Sequence, residues 1–387
     1  MYICFNSFVS INRLNDSSIN HTFMKIKELI NEIETWAPLT YAESFDNVGL
    51  LVGDKELEIT GVLITHDTLE EVVDEAIAKN MNLIISFHPI IFSGLKSLTG
   101  KNYVERVVMK AIKHDIAIYA LHTALDNQYF GVSGILANKL GLQNQKVLMP
   151  QSKTLLQLVT YVPFNYAEKV RQSLFDAGAG QIGNYSECSY NIEGEGTYKP
   201  NDKANPYLGK PGERHTEKEV RISVIFAKHL QSKILQNLFD AHPYEEIAYE
   251  IIAIENDNQE IGLGIIGELP QAVTEQSYLN DLKEKLQLSC IRYSKLRNKP
   301  IKKVAVLGGS GSFAISAAKN SGADVYISAD IKYHEFYRGE NQMVIADIGH
   351  FESEQYTKQF LFEQLTKKIR NFAVALSEIN TNPINYL

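Results

Sequence analysis

No Cys-x-x-Cys pair occurs in this chain, and its three cysteines, Cys4, Cys188 and Cys290, stand far apart. That spacing argues against a disulfide framework and a thiolate zinc site, and it points to a reducing, cytoplasmic compartment. No run of 18 apolar residues is present, so no membrane span is expected. An excess of positive charge is missing too, because 46 acidic residues against 38 Lys and Arg leave a net charge of −8. A general nucleic-acid binder needs a basic footprint, so nucleic acid is not an expected partner. The chain has no Gly-x-Ser-x-Gly elbow and no cysteine-nucleophile signature, which disfavours a covalent hydrolase.

What is present is a normal water-soluble balance of 22% charged and 44% apolar residues. A chain of 387 residues is too long for one ordinary core, so two or three domains are expected. Residues 1–23 lack the charged start, apolar middle and small-residue cleavage site of a secretory signal. They read as a detached, disordered N-terminal extension, and Met24 opens a clean amphipathic segment.

From there, apolar runs alternate with helical periods. Ile59–Thr65, Asn82–Ser86 and Ala117–Ala120 read as buried strands, separated by helices over Leu69–Lys79 and Tyr103–His114. This alternation implies a parallel sheet covered on both faces, with ligand sites at the strands' carboxyl ends. At those ends stand His66-Asp67, Phe87-His88 and the segment from His122 to Asp126. One histidine at a strand end is usually a satisfied turn residue. Three neighbouring ends that carry His and Asp mark a polar functional site. Asp46 and Asn47 read as a turn that caps its own backbone.

Residues 154–256 change character. Strand, helix and strand occur twice, the pattern of a ferredoxin-like insert. His242, Glu245 and Glu246 are read there either as ligands or as a turn before a strand. The parallel pattern resumes with strands at Val304–Leu307, Asp324–Ser328 and Met343–Asp347. Gly308-Gly-Ser-Gly-Ser312 lies between the first of these and a helix. It is no Walker loop, and it reads equally as an anion cradle or as tight strand-to-helix packing. After the last strand, His350 and Glu354 are four residues apart, so a helix stacks them on one face. Histidine with Asp and Glu, and no sulfur, suits Zn²⁺, Fe²⁺, Mn²⁺ or Co²⁺. A carboxylate bridging two ions, with positions left for water, suits hydrolysis.

Six stretches carry a family resemblance: Ser44-Phe-Asp-Asn-Val-Gly-Leu-Leu-Val-Gly53, Ser86-Phe-His-Pro-Ile-Ile-Phe92, Leu121-His-Thr-Ala-Leu-Asp126, Gly308–Ser312, Asp324–His334 and Asp347-Ile-Gly-His-Phe-Glu-Ser-Glu354. They span nearly all of residues 24–376 in order, and the chain resembles the Nif-three-like family, the GTP cyclohydrolase I type 2 homologues. Gly180-Gln-Ile-Gly-Asn-Tyr185 and His242-Pro-Tyr-Glu-Glu246 resemble the CutA/PII-like insert of its long members. The resemblance implies a two-lobed α/β fold with an inserted ferredoxin-like α+β domain, assembled as a toroidal homohexamer. It divides the chain into an extension (1–23), a first lobe (24–153), the insert (154–256) and a second lobe (257–387).

Carried over by motif, the ligands of one or two divalent ions per subunit are His88, Asp126, His350 and Glu354. His122, Asp330 and His334 match residues around that site and are the catalytic candidates. The family pattern commonly has two adjacent histidines before the proline, where this chain has Phe87-His88. One ion is therefore expected to bind tightly and a second more weakly. His66, where related sequences usually carry an apolar residue, is expected to compensate in part. The implied function is metal-dependent hydrolysis of a nucleotide or related small molecule by metal-bound water. The other reading is a non-catalytic metal-binding scaffold or regulator with a ligand-sensing insert.

Overall fold

The computed structural model describes residues 24–369 and 372–387, so the expected N-terminal extension lies outside the described residues. In chain order the first part comprises α1 (Ile26–Glu34), β1 (Gly49–Val52), β2 (Gly61–Thr65), α2 (Glu70–Ala78), β3 (Leu83–Ser86), α3 (Tyr103–Lys113), β4 (Ala117–Ala120), α4 (His122–Asp126) and α5 (Val132–Leu140). The middle runs through β5 (Gln143–Pro150), β6 (Leu155–Pro163), α6 (Ala167–Asp176), β7 (Tyr190–Tyr198), β8 (His215–Ala227), α7 (Gln231–Ala241) and β9 (Tyr249–Ile254). The last part contains β10 (Gly262–Val273), α8 (Glu275–Lys285), β11 (Arg292–Tyr293), β12 (Ile301–Ser310), α9 (Ile315–Asn320), β13 (Val325–Ala329), β14 (Val344–Asp347), α10 (His350–Glu354), α11 (Thr357–Lys368) and β15 (Ala373–Leu376).

Three sheets result. The first has the order β1-β4-β3-β2-β15 and the second β11-β14-β13-β12-β10-β5. In the first, β15, β2, β3 and β4 are parallel, and β12, β13 and β14 form the parallel centre of the second. Every residue of β2, β3, β4, β13 and β14 is buried. That explains why they read as unbroken apolar runs and show no alternation. The sheets are not contiguous in sequence. β5, which precedes the insert, pairs with β10 in the second sheet, and β15 returns to pair with β2 in the first. The divisions after residues 153 and 256 therefore do not separate the two sheets, which exchange one strand each way.

The insert forms the third sheet, ordered β7-β8-β6-β9 with every neighbouring pair antiparallel. A βαββαβ sequence in that order is ferredoxin-like. The two helices α6 and α7 bury Val170, Leu174, Ile234 and Leu238 against Leu158 and Ile222 in a core of their own. β7, Tyr-Asn-Ile-Glu-Gly-Glu-Gly-Thr-Tyr, is an almost wholly exposed edge strand, with no buried face to impose a period. Gly262, Gly264 and Gly267 have dinucleotide-fingerprint spacing, but they lie inside β10 and open no helix. No helix among the described residues is long and apolar enough to cross a membrane.

Candidate metal centre

Backbone pairing, more than side-chain attraction, brings the upstream histidines together. The parallel register sets Thr65 opposite Ser86 and Ser86 opposite Ala120, so β2, β3 and β4 end level. The ladder runs on past the strands. The His88 N–H donates to the His66 carbonyl at 2.9 Å, and the His122 N–H to the Phe87 carbonyl at 2.9 Å. The His66 and His88 rings then lie 4.7 Å apart, and those of His88 and His122 5.2 Å apart.

The second sheet supplies the facing wall. At the end of β14, Asp347 accepts the Ile331 and Gly349 N–H groups and a bond from Arg292, which fixes the turn into α10. Gly349 takes φ +90° there, and the helix that follows stacks His350 over Glu354. β12 crosses directly behind the carboxylate. A Cβ on Gly309, where φ is +72°, would lie 2.3 Å from Glu354 Oε1, so only glycine lets the strand approach this closely. His350 reaches across to within 5.5 Å of the His88 ring.

The donor atoms converge on a single oxygen. Glu354 Oε2 lies 3.2 Å from His66 Nε2, 3.3 Å from His88 Nε2 and 3.3 Å from His350 Nε2. Glu354 is buried, and none of these contacts has hydrogen-bond alignment, so its Oε2 stands without a partner. Behind the rings are carboxylates. His88 Nδ1 contacts Asp67 Oδ1 at 2.8 Å, and His350 Nδ1 contacts Asp330 Oδ2 at 2.7 Å. His122 Nδ1 contacts Asp46 Oδ1 at 2.8 Å. A carboxylate on Nδ1 fixes the tautomer and leaves Nε2 as a free donor, the arrangement that orients metal-binding histidines. His88, His350 and Glu354 thus group as donors able to hold a divalent ion, and the nitrogen and oxygen set fits Zn²⁺, Fe²⁺, Mn²⁺ or Co²⁺.

The same crowding sets the electrostatics of these groups. Burial works to raise the Glu354 carboxyl, but the imidazoles of His350, His66 and His88 hold it well below the usual range. Burial works to lower His88 and His350. The carboxylates Asp67 and Glu354 carry His88 up to about 10, and Glu354 and Asp330 carry His350 up to about 9. Asp126 goes the other way, held well above its ordinary value by burial and then by the charge of Glu354. Two carboxyls near one another and near the same histidines are pushed apart in this manner.

Asp126, His122, His350 and Glu354 line one cavity of about 550 Å³ between the two sheets, together with Ser310 and Glu43. Three of the four residues carried over as ligands therefore line this cavity beside His122, while His88 stays out of its lining and meets the set through Glu354 at 3.3 Å. His122 and Asp330 both hold positive φ, +31° and +55°, a conformation non-glycine residues adopt at a cost. The third catalytic candidate, His334, stays apart. It is exposed, stacks edge-on against Tyr333 at 5.1 Å and does not line the cavity. Phe87 is fully buried, its ring stacked on His66 at 5.3 Å and 30°.

Asp46 was the residue that local reasoning undervalued. Its Oδ1 does accept the Asn47 N–H, as the turn reading requires. The same carboxylate also holds His122 and Thr123. Burial alone would raise it, but His122 and Thr123 bring it down to about 2. The Gly308–Ser312 loop resolves towards packing. The Gly308 and Gly309 N–H groups donate to the Ser133 and Ser353 hydroxyls, and that of Gly311 donates to the Ala329 carbonyl.

His242 resolves as a turn residue. Its Nδ1 accepts the Tyr244 N–H at 3.1 Å, and Nε2 donates to the Tyr161 carbonyl at 3.0 Å. Burial lowers its pKa below 6.5, against a smaller opposing effect of the Tyr161 carbonyl. The fold thus prefers the neutral ring, and the unfolded chain takes up the proton first. This stabilisation is complete above pH 6.5 or so and is lost as the pH falls through the folded value. Denaturation of the wild type and of His242→Gln, whose amide keeps both bonds without titrating, checks the sign. The wild type's advantage is expected to shrink between pH 7 and pH 5, and a constant difference would refute the assignment.

Comparison with known proteins covers nearly all of the described length. The profile of the Duf34/NIF3 (NGG1p interacting factor 3) family matches residues 24–383. A Bacillus subtilis protein named GTP cyclohydrolase 1 type 2 homolog is 38% identical over 369 residues, which is 93% of this chain and 98% of the relative. The solved structure of a Bacillus cereus protein related to NIF3 superposes with a TM-score of 0.82 at 37% identity, covering 94% of this chain and all of that one. A Staphylococcus aureus structure superposes with a TM-score of 0.73 at 32% identity, covering 94% and 99%.

Proposed function

The chain belongs to the Duf34/NIF3 family, and on that premise we propose that it is a divalent-metal protein that hydrolyses a nucleotide or related small molecule. The observation that carries this reading is the buried, partnerless Oε2 of Glu354 facing the Nε2 atoms of His88 and His350 at 3.3 Å. In this reading His88, Asp126, His350 and Glu354 hold one or two ions of Zn, Fe, Mn or Co. A bound ion there supplies a positive clamp for anionic oxygens and acidifies water at neutral pH.

The chain's own groups do the rest. Asp67 and Asp330 orient His88 and His350 through their Nδ1 atoms. His122, anchored by Asp46 and lining the cavity, is positioned to take or give a proton at Nε2. Exposed His334 has no assigned part in this step within one subunit. A cavity of about 550 Å³ matches a nucleotide-sized ligand. The relatives' name suggests GTP, which is an analogy carried by the name of those proteins.

Purified protein of defined metal content, incubated with GTP and a panel of nucleotides and phosphoesters, tests this reading. Turnover is expected in the wild type and its loss in His350→Ala, with the oligomer intact by light scattering. A second reading, a non-catalytic homohexameric scaffold with a ligand-sensing CutA/PII-like insert, is favoured by a different observation. The insert holds its own cavity of about 700 Å³, walled by Tyr161, Tyr198, Tyr207, Tyr244, Glu219 and Arg221. No turnover on the panel, with assembly lost on chelation, supports that second reading.

A further inference from the structure

His66 is buried, yet neither of its ring nitrogens has a hydrogen-bond partner. A buried polar group left in that state is costly, so its place calls for a ligand. Its Nε2 lies closer to Glu354 Oε2, at 3.2 Å, than does that of either His88 or His350. Unlike those two, it has no carboxylate on Nδ1. Aromatic rings hold it in their stead: Phe87 stacks on one face at 5.3 Å, and Phe351 meets it edge-on at 5.3 Å. The ladder bond from the His88 N–H to the His66 carbonyl fixes its backbone beside His88. The ring is therefore locked by packing with a bare nitrogen aimed at the shared carboxylate.

We propose that His66 is a metal ligand through Nε2, so that a third imidazole joins His88, Asp126, His350 and Glu354. This rests on the metal reading above and adds a residue to it. Glu354, with the Nε2 atoms of His66, His88 and His350 all within 3.3 Å of Oε2, is then the carboxylate around which the donor set is arranged. Phe87, packed flat against His66, is the adjacent position from which an imidazole could serve the same space.

Zinc stoichiometry by elemental analysis and zinc affinity by competition with a chromophoric chelator test the assignment in wild type, His66→Leu, His350→Ala and the double variant His66→Leu/Phe87→His. His66→Leu is expected to weaken zinc binding at least about tenfold, the lower bound seen when even a ligand's supporting group is removed. The double variant is expected to recover part of that loss. If His66→Leu binds zinc like the wild type while His350→Ala does not, the proposal fails and the centre stands. If His350→Ala also binds like the wild type, both fail. Should the leucine variant not fold, the Co²⁺-loaded wild type decides by NMR. Hyperfine-shifted ring protons from three histidines support the assignment, and protons from only His88 and His350 overturn it.

Discussion

Glu354→Gln is expected to abolish tight metal binding, with a loss of zinc affinity of more than about a hundredfold, beyond the range for removing a supporting group alone. Glu354 Oε2 is the one atom to which His66, His88 and His350 all turn. An amide oxygen is a far weaker donor to a divalent ion than a carboxylate. It also removes the negative charge that, with Asp67, raises His88, and with Asp330 raises His350. The change is nearly isosteric, so Gly309, which leaves just enough room for Glu354, tolerates it. Glu352→Gln is the control. That residue sits two positions away in the same helix, and its carboxylate accepts a bond from the Asn382 amide outside the cluster. Elemental analysis and zinc titration of both variants are the measurement, and retention of metal by Glu354→Gln would refute the site.

The second large effect is on stability and lies far from the cavity. Arg297 and Glu275 are each only 4% exposed, paired through Nε and Oε1 at 3.0 Å. Glu275 also accepts the backbone N–H groups of Arg297 and Asn298, which ties the start of α8 to the loop before β12. The guanidinium is further held by Asp324 and by the Gln342 and Pro300 carbonyls. Glu275→Ala leaves the buried cation with only the partly exposed Asp324 as a charged partner and strands two N–H groups at once. Breaking a buried pair from one side costs about 3–5 kcal/mol, because the remaining charge stays desolvated. Urea denaturation at pH 7 is expected to show that loss. The double change Glu275→Leu/Arg297→Met is expected to return most of it, since the buried pair goes from both sides and the partly exposed Asp324 keeps the Lys302 and Lys303 N–H groups. A loss below about 1 kcal/mol for Glu275→Ala would mean that Asp324 alone carries Arg297.

How much of this was legible beforehand follows the physics of each element. β2, β3, β4, β13 and β14 are buried on both faces, so burial imposes an unbroken apolar run that needs no partner to be recognised. β7 has no such constraint, and its Gly and Glu content reads as loop. β5 and β15 belong to sheets on the far side of a chain division because pairing is non-local. No periodicity within Gln143–Pro150 records that its partner is β10.

The site divides in the same way. His88, Asp126, His350 and Glu354 were readable as residue types at strand ends and at helical spacing. The carboxylates that orient the rings were not readable as such, because Asp46 meets His122 across 76 positions and Asp330 meets His350 across 20.

The sequence by itself determined the family, the alternating α/β plan and the donor types, since composition and local period are properties of short segments. Only the tertiary structure decided which donors share an oxygen. It placed His66 in the cluster, left His334 outside and turned Asp46 from a turn cap into the anchor of His122. The reason is that two sheets meet at their carboxyl ends through strands exchanged between them, and the distances across that junction are fixed by long-range pairing.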